Sequence, residues 1–252
     1  MLTIKHSLHH FGRINAFHRW FHETPAAKDA CRLAFYYHCA STRNLPGFIR
    51  VPKFTKTIDL TQSEEEITAG YNKSTRYEVR RAEREDIEFA VGAEQEEFLQ
   101  FYNGFAASKG FDLMNADELD RYWPNIQILK ACHDGEPLVM HAYLMDEDAS
   151  RGLMLHSASH FRNADDNQVR RLVGRANRYL HHRAIMWMRE NGVRTYDFGG
   201  YAKDTQDEQM QAINKFKDHF GGQLIEESNY LSLALVTLRG FKQFLSAGLR
   251  RR

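Results

Sequence analysis

The segment His133-Asp134-Gly135-Glu136-Pro137 limits what this chain can fold into more than any other. It separates two apolar runs, Ile126 to Cys132 and Leu138 to Met145, and a third run, Leu153 to His160, follows closely. An Asp-Gly pair between such runs is a hairpin signal, because both central turn positions need a positive φ that Asp tolerates and Gly adopts freely. Three strands in this order form an antiparallel meander, whose apolar face has to pack against other elements.

The surrounding pattern supplies them. A long helix is expected from after Asn163 to Asn167 to about Glu190, with its end marked by Asn191-Gly192. Val193 to Phe198 reads as a buried strand, Asp207 to Phe220 as a helix closed by Gly221-Gly222, and Gln223 to Leu233 as a strand. Upstream, Phe54 to Leu60 alternates as a strand. Ser63 and Glu64 to Glu66 then start a helix predicted to reach about Arg84. Asp86 to Val91 reads as a strand, Glu94 to Lys109 as a helix closed by Gly110, and Ala116 to Tyr122 as a shorter helix. Residues 1 to 53 carry the weakest pattern, with Pro25, Pro46 and Pro52 interrupting one expected helix and the apolar stretch Leu33 to His38. The fold class read from this order is α/β (α+β): a mixed, mostly antiparallel sheet flanked by helices, spanning 54–233. An N-terminal extension covers 1–53 and a basic amphipathic helix covers 234–252.

Composition excludes several classes. With 252 residues, 42% hydrophobic and 12% aromatic, the chain can bury a real core and is not a disordered one. Its 34 basic residues against 33 acidic ones exclude a globally basic nucleic-acid coat, and no DNA partner is expected. Cys31, Cys39 and Cys132 form no disulfide framework and no CxxC pair, and no metal site is expected. The first twenty residues hold no signal-peptide apolar core, so the reading is a cytoplasmic protein. The last helix places Leu235, Leu238, Phe241, Leu245 and Leu249 near one face with basic residues elsewhere; it packs on the core or rests on the anionic inner membrane.

Two strings carry a resemblance. Lys73-Ser74-Thr75-Arg76-Tyr77-Glu78-Val79-Arg80-Arg81-Ala82-Glu83-Arg84 is a basic helix before the core. The second string runs from Ala176-Asn177-Arg178-Tyr179-Leu180 through Gly192 and Tyr196-Asp197-Phe198-Gly199-Gly200 to Phe216-Lys217-Asp218-His219-Phe220-Gly221-Gly222. In this order they resemble the GNAT acyltransferase fold in its Fem-type branch, whose members attach amino acids to the peptidoglycan precursor. The resemblance covers roughly residues 54 to 232 and implies a single GNAT-like domain performing acyl transfer. Fem-type enzymes that use aminoacyl-tRNA typically carry two GNAT-like domains, and this chain has room for one complete domain. The donor expected is therefore acyl-CoA, with aminoacyl-tRNA or a non-catalytic GNAT-like binding module as alternatives. The acceptor expected is a small-molecule or lipid-linked amine of a cell-envelope sugar, amino acid or peptide.

Acyl transfer to an amine needs a held donor, charge stabilisation for an oxyanion and a route for a proton. The resemblance places the GNAT pyrophosphate pattern at Arg171-Leu172-Val173-Gly174-Arg175-Ala176, inside the start of the long helix, with Arg170 adding charge. Read from the residues alone, the same stretch is equally a solvated basic helix face. Arg76, Arg80 and Arg84 share a face at i, i+4 and i+8; with Lys73 they can grip a diphosphate, or pair with nearby carboxylates. Asp197, ahead of Gly199-Gly200, can orient or deprotonate an amine, cap the next helix or pair with an arginine. Tyr201 is a candidate acid toward the leaving group, and His156, beside Ser157, is a candidate proton relay or a satisfied rim residue. Phe216 and Lys217 match the Fem-type Phe-Lys pair, whose lysine is understood to neutralise charge developing on the donor. His181-His182 cannot both face one metal.

Overall fold

The structure, a computed structural model, describes residues 1–8, 14–123, 125–160 and 167–238. Its elements run β1 (Thr3–Leu8), β2 (Ile14–Trp20), β3 (Ala34–Cys39), β4 (Phe48–Asp59), α1 (Glu64–Ala69), α2 (Lys73–Arg84), β5 (Glu88–Val91) and α3 (Gln95–Lys109). They continue with α4 (Ala116–Asp120), β6 (Ile126–His133), β7 (Glu136–Asp146), β8 (Arg151–Ser159), α5 (Asn167–Glu190), β9 (Thr195–Gly200), α6 (Glu208–Asp218) and β10 (Gln223–Ser232). The chain divides into two compact units: residues 1–55 with 225–252, and residues 56–224. β4 and β10 each supply residues to both.

In the first unit β1 pairs antiparallel with β2, β2 parallel with β3, and β3 antiparallel with β10. Among the described residues of this region the only helical element is a single 3-10 segment, Ala27–Cys31, where the sequence suggested a helix. Ala16, His18 and Trp20 take the buried positions of β2 while Asn15, Phe17 and Arg19 are more open, so the period-two signal runs through a histidine and escapes a hydrophobicity reading. The buried Asp29 carboxylate accepts from the Tyr36 hydroxyl at 2.6 Å and pairs with Arg19 at 2.8 Å. Burial, reinforced by the bond to Asp29, pushes the Tyr36 phenol up to about 12.

The second unit carries the site. Its strand order is β4-β9-β8-β7-β6-β5. The meander is as expected: β6, β7 and β8 pair antiparallel, and Asp134 and Gly135 turn between them at φ 52° and 80°. α5 packs on one face of these strands with α2 against it, and α3 packs on the other. The single helix expected from Ser63 to Arg84 is two, because Asn72 Oδ1 accepts from Thr75 N–H at 2.7 Å and starts α2 afresh. β8 and β9 are parallel, and their ladder runs only from Arg151↔Thr195 to Leu153↔Asp197 although β8 continues to Ser159. Residues 233–238 are helical, and the remainder of the basic helix expected to residue 252 lies outside the described residues. Among the described residues no helix is long and apolar enough to cross a membrane.

Candidate active site

A cavity of about 400 Å³ opens where the β8/β9 ladder ends. Met154 and Ser157 of β8, Phe198 of β9, Asn177 and His181 of α5, and Ala212, Ile213, Phe216 and Lys217 of α6 line it. Its walls are mostly apolar with four convergent polar side chains, the composition of a small-ligand site.

Lys217 sits on the inner face of α6, only 6% exposed, and its Nζ donates to the carbonyls of Gly199 at 3.3 Å and Gly200 at 2.6 Å. An ammonium has three N–H donors, so one remains for a ligand in the cavity. Burial lowers its pKa from 10.5 to about 8, which leaves it cationic at neutral pH but poorly solvated. Gly199 holds φ +74°, and a Cβ there would stand 2.9 Å from the Met154 carbonyl. Asn214 of α6 accepts from Ala202 N–H at 3.1 Å and donates to Ala202 O at 2.8 Å, tying the segment after β9 to the helix that carries Lys217. Phe216 makes a tilted contact with the ring of His181 and an edge-on contact with Phe220, with the Arg178 guanidinium 5.3 Å over its face.

Asp197 is fully buried and pairs with Arg151, whose Nε lies 3.0 Å from Oδ2; Oδ1 accepts from Gly199 N–H at 2.8 Å. Of the roles open to it, the geometry takes the arginine pair. Asp197 shapes the Gly199 turn and lies outside the cavity lining. His156 is opposite Ala142 on the α3 side of β8, its ring against Tyr102, and burial lowers it to about 4. Ser157, opposite His141, faces the cavity instead, since successive strand residues face opposite ways. Tyr201 donates to Asp218 Oδ2 at 2.9 Å in a separate cleft with Lys215 and Asn214, outside the lining of the cavity.

The expected pyrophosphate pattern lies inside α5. Arg171 to Ala176 occupy the second and third turns of α5, where backbone N–H groups are committed to carbonyls four residues earlier, so Gly174 offers no free amide. Ala176 is buried in the core. Arg175 is 5% exposed and clasps Glu78 at 2.9 Å and Glu85, both from the α2 side. Arg170 and Arg171 are exposed on the first turns of α5. Lys73, Arg76 and Arg80 lie on the open face of α2, while Thr75, Val79 and Ala82 of the same helix are buried.

No family model matches the chain, and no curated protein matches it in sequence. Solved structures do match in shape. The C-terminal domain (DUF2156) of a protein named as a lysylphosphatidylglycerol synthetase from Agrobacterium fabrum aligns with a TM-score of 0.56 at 15% identity, over 89% of this chain and 80% of that one. FemX aligns at 0.56 and 14% identity, over 81% and 67%. The fold is Fem-like. L-PGS from Bacillus licheniformis aligns at 0.53 and 12% identity, over 82% and 69%. At these identities the Fem-like likeness is one of backbone path.

Asn177, His181 and Ser157 belong to the site, and so do the buried Tyr196, Tyr143 and His141 behind it. The signal that could have found them is a set of polar rings at core positions: His141 and Tyr143 two apart within an otherwise apolar run, and His181 on the apolar face of α5.

Proposed function

We propose that the chain transfers an acyl or aminoacyl group from an activated ester to an amine, forming an amide. The observation that carries this is Lys217: a buried ammonium with one N–H to spare on the wall of an apolar cavity. Such a cation gains most from the oxyanion that forms when an amine adds to an acyl carbonyl, because little water screens it. The cavity suits a small acyl group beside a primary amine, and an amine of a cell-envelope sugar, amino acid or peptide is the acceptor class that goes with a Fem-like fold. The donor is an acyl-CoA thioester or an aminoacyl ester of tRNA. Both bring phosphates, and Arg76 and Arg80 on α2, which packs on the helix bearing Asn177 and His181, offer them charge.

Mass-spectrometric detection of amide product, with acetyl-CoA or aminoacyl-tRNA presented against a panel of envelope amines, tests the proposal. Lys217→Met is expected to slow product formation roughly 100-fold or more. Wild-type rates in that variant, or no product from either donor, would overturn it; phosphate-ligand binding without product would favour a non-catalytic module.

A further inference from the structure

Behind the cavity four aromatic side chains form one hydrogen-bonded chain. Asn177 Oδ1 lies 2.9 Å from His141 Nε2, His141 Nδ1 lies 2.9 Å from the Tyr143 hydroxyl, the two tyrosine hydroxyls are 2.9 Å apart, and Tyr196 Oη is 2.6 Å from His181 Nδ1. Proton positions follow from the first link. An amide oxygen only accepts, so His141 Nε2 carries its hydrogen; a neutral imidazole then has a bare Nδ1, which takes the Tyr143 hydrogen. Tyr143 oxygen in turn accepts from Tyr196, and Tyr196 oxygen accepts from Nδ1–H of His181. The only ring nitrogen of the chain left with a free lone pair is Nε2 of His181, on a side chain that lines the cavity.

Both imidazoles stay neutral. Burial lowers His141 to about 4; burial together with His141, Lys217 and Arg178 lowers His181 well below its ordinary value. The tyrosine hydroxyls are held protonated by burial, so neither becomes a phenolate that would break the order. The titratable groups facing His181 are thus His141 of β7, Tyr196 of β9, Arg178 of its own helix and Lys217 of α6; among the described residues no carboxylate bonds to the ring.

We propose that His181 Nε2 is the proton acceptor of this site and that Tyr196, Tyr143, His141 and Asn177 are positioning residues that hold it in the accepting tautomer. The proposal rests on the acyl-transfer reading for the proton's source, and on the chain alone for the tautomer. As the amine lone pair forms the C–N bond and the donor's C–S or C–O pair departs with the leaving group, the amine proton goes to His181 Nε2. The Nδ1 proton then passes to Tyr196 oxygen, the Tyr196 proton to Tyr143 oxygen, and the Tyr143 proton to His141 Nδ1. The positive charge moves to His141, and reversal returns one proton from Nε2 to the leaving thiolate or ribose oxygen.

Nitrogen-15 NMR of the imidazoles in the labelled full chain tests this without any substrate, with His181 and His141 assigned through His181→Gln and His141→Gln. The expected result is Nδ1–H on His181 and Nε2–H on His141, unchanged from about pH 6 to 9. An Nε2–H tautomer on His181, or titration in that range, overturns the proposal. Tyr143→Phe is expected to move the His181 proton to Nε2, because Tyr196 then has only Nδ1 to donate to; an unmoved proton in the folded variant overturns the relay. If that variant does not fold, the wild-type spectrum decides. With a donor and amine that turn over, His181→Gln lowers kcat roughly 100-fold with little change in KM, and an unchanged kcat overturns the role. An expected tautomer with no turnover from either donor counts against acyl transfer and for the relay.

Discussion

Lys217 and Asp197 are twenty residues apart in sequence and share the Gly199 turn, where Asp197 accepts from the Gly199 N–H and Lys217 donates to the Gly199 carbonyl. The folded pKa of Lys217, about 8 against 10.5, lies below the unfolded one. The unfolded chain therefore binds the extra proton between those values, and stability rises with pH across that window. A shift of this size corresponds to about 3 kcal/mol, and Lys217→Met is expected to abolish the rise when urea midpoints are compared at neutral pH and near pH 10. A rate that depends on the ammonium falls over the same range, with its midpoint near the lysine's pKa. For Asp197→Asn the expectation is a loss of about 3 kcal/mol, because the substitution takes the counter-charge from a mostly buried Arg151. An unaltered urea midpoint would show that the pair is not holding the turn. The resemblance to the Fem-type Phe-Lys pair singled out Lys217 in the sequence, but nothing there could choose among the roles of Asp197. That choice depends on Arg151, which reaches Asp197 across the short β8/β9 ladder.

At the scale of elements, the meander, α3, α5 and α6 were legible because each carries its own period and stop signal. The pyrophosphate pattern sits in a helix interior for a physical reason: its glycine, Gly174, also fits there, and Val173 and Ala176 prefer the core. His156 and Ser157 show how little separates a lining residue from an outer one, since the irregularity between Ala142 and Tyr143 sets the face on which each lies. Two glycines give contrasting tests. Gly222, at φ +74°, has the Thr57 carbonyl where a Cβ would go, whereas Gly192, at φ +78°, has nothing within 4 Å. Gly192→Ala should cost about 1 kcal/mol from backbone strain alone, and Gly222→Ala should cost more than about 2 kcal/mol; equal losses in urea denaturation would refute the crowding argument. Arg175→Met is expected to change stability by less than about 1 kcal/mol, because Glu78 and Glu85 reach solvent, and to leave donor binding intact. Weakened donor binding would return the arginine to a phosphate-holding role.

For the whole molecule, a formal charge of +1 conceals an exposed cationic face on α2. With tRNA as the ligand, Arg76→Ala together with Arg80→Ala should flatten the dependence of log binding constant on log salt by about two; an unchanged slope would place the phosphates elsewhere. The division into residues 1–55 with 225–252 and residues 56–224 has a bearing on synthesis. Ribosomes release β1, β2 and β3 first, but β3 takes its other neighbour from β10, which emerges only after the whole second unit. Chains truncated shortly before residue 223 and released from the ribosome should therefore protect the cavity region from protease while β1, β2 and β3 remain open to cleavage. The strands made earlier are then the ones that close last.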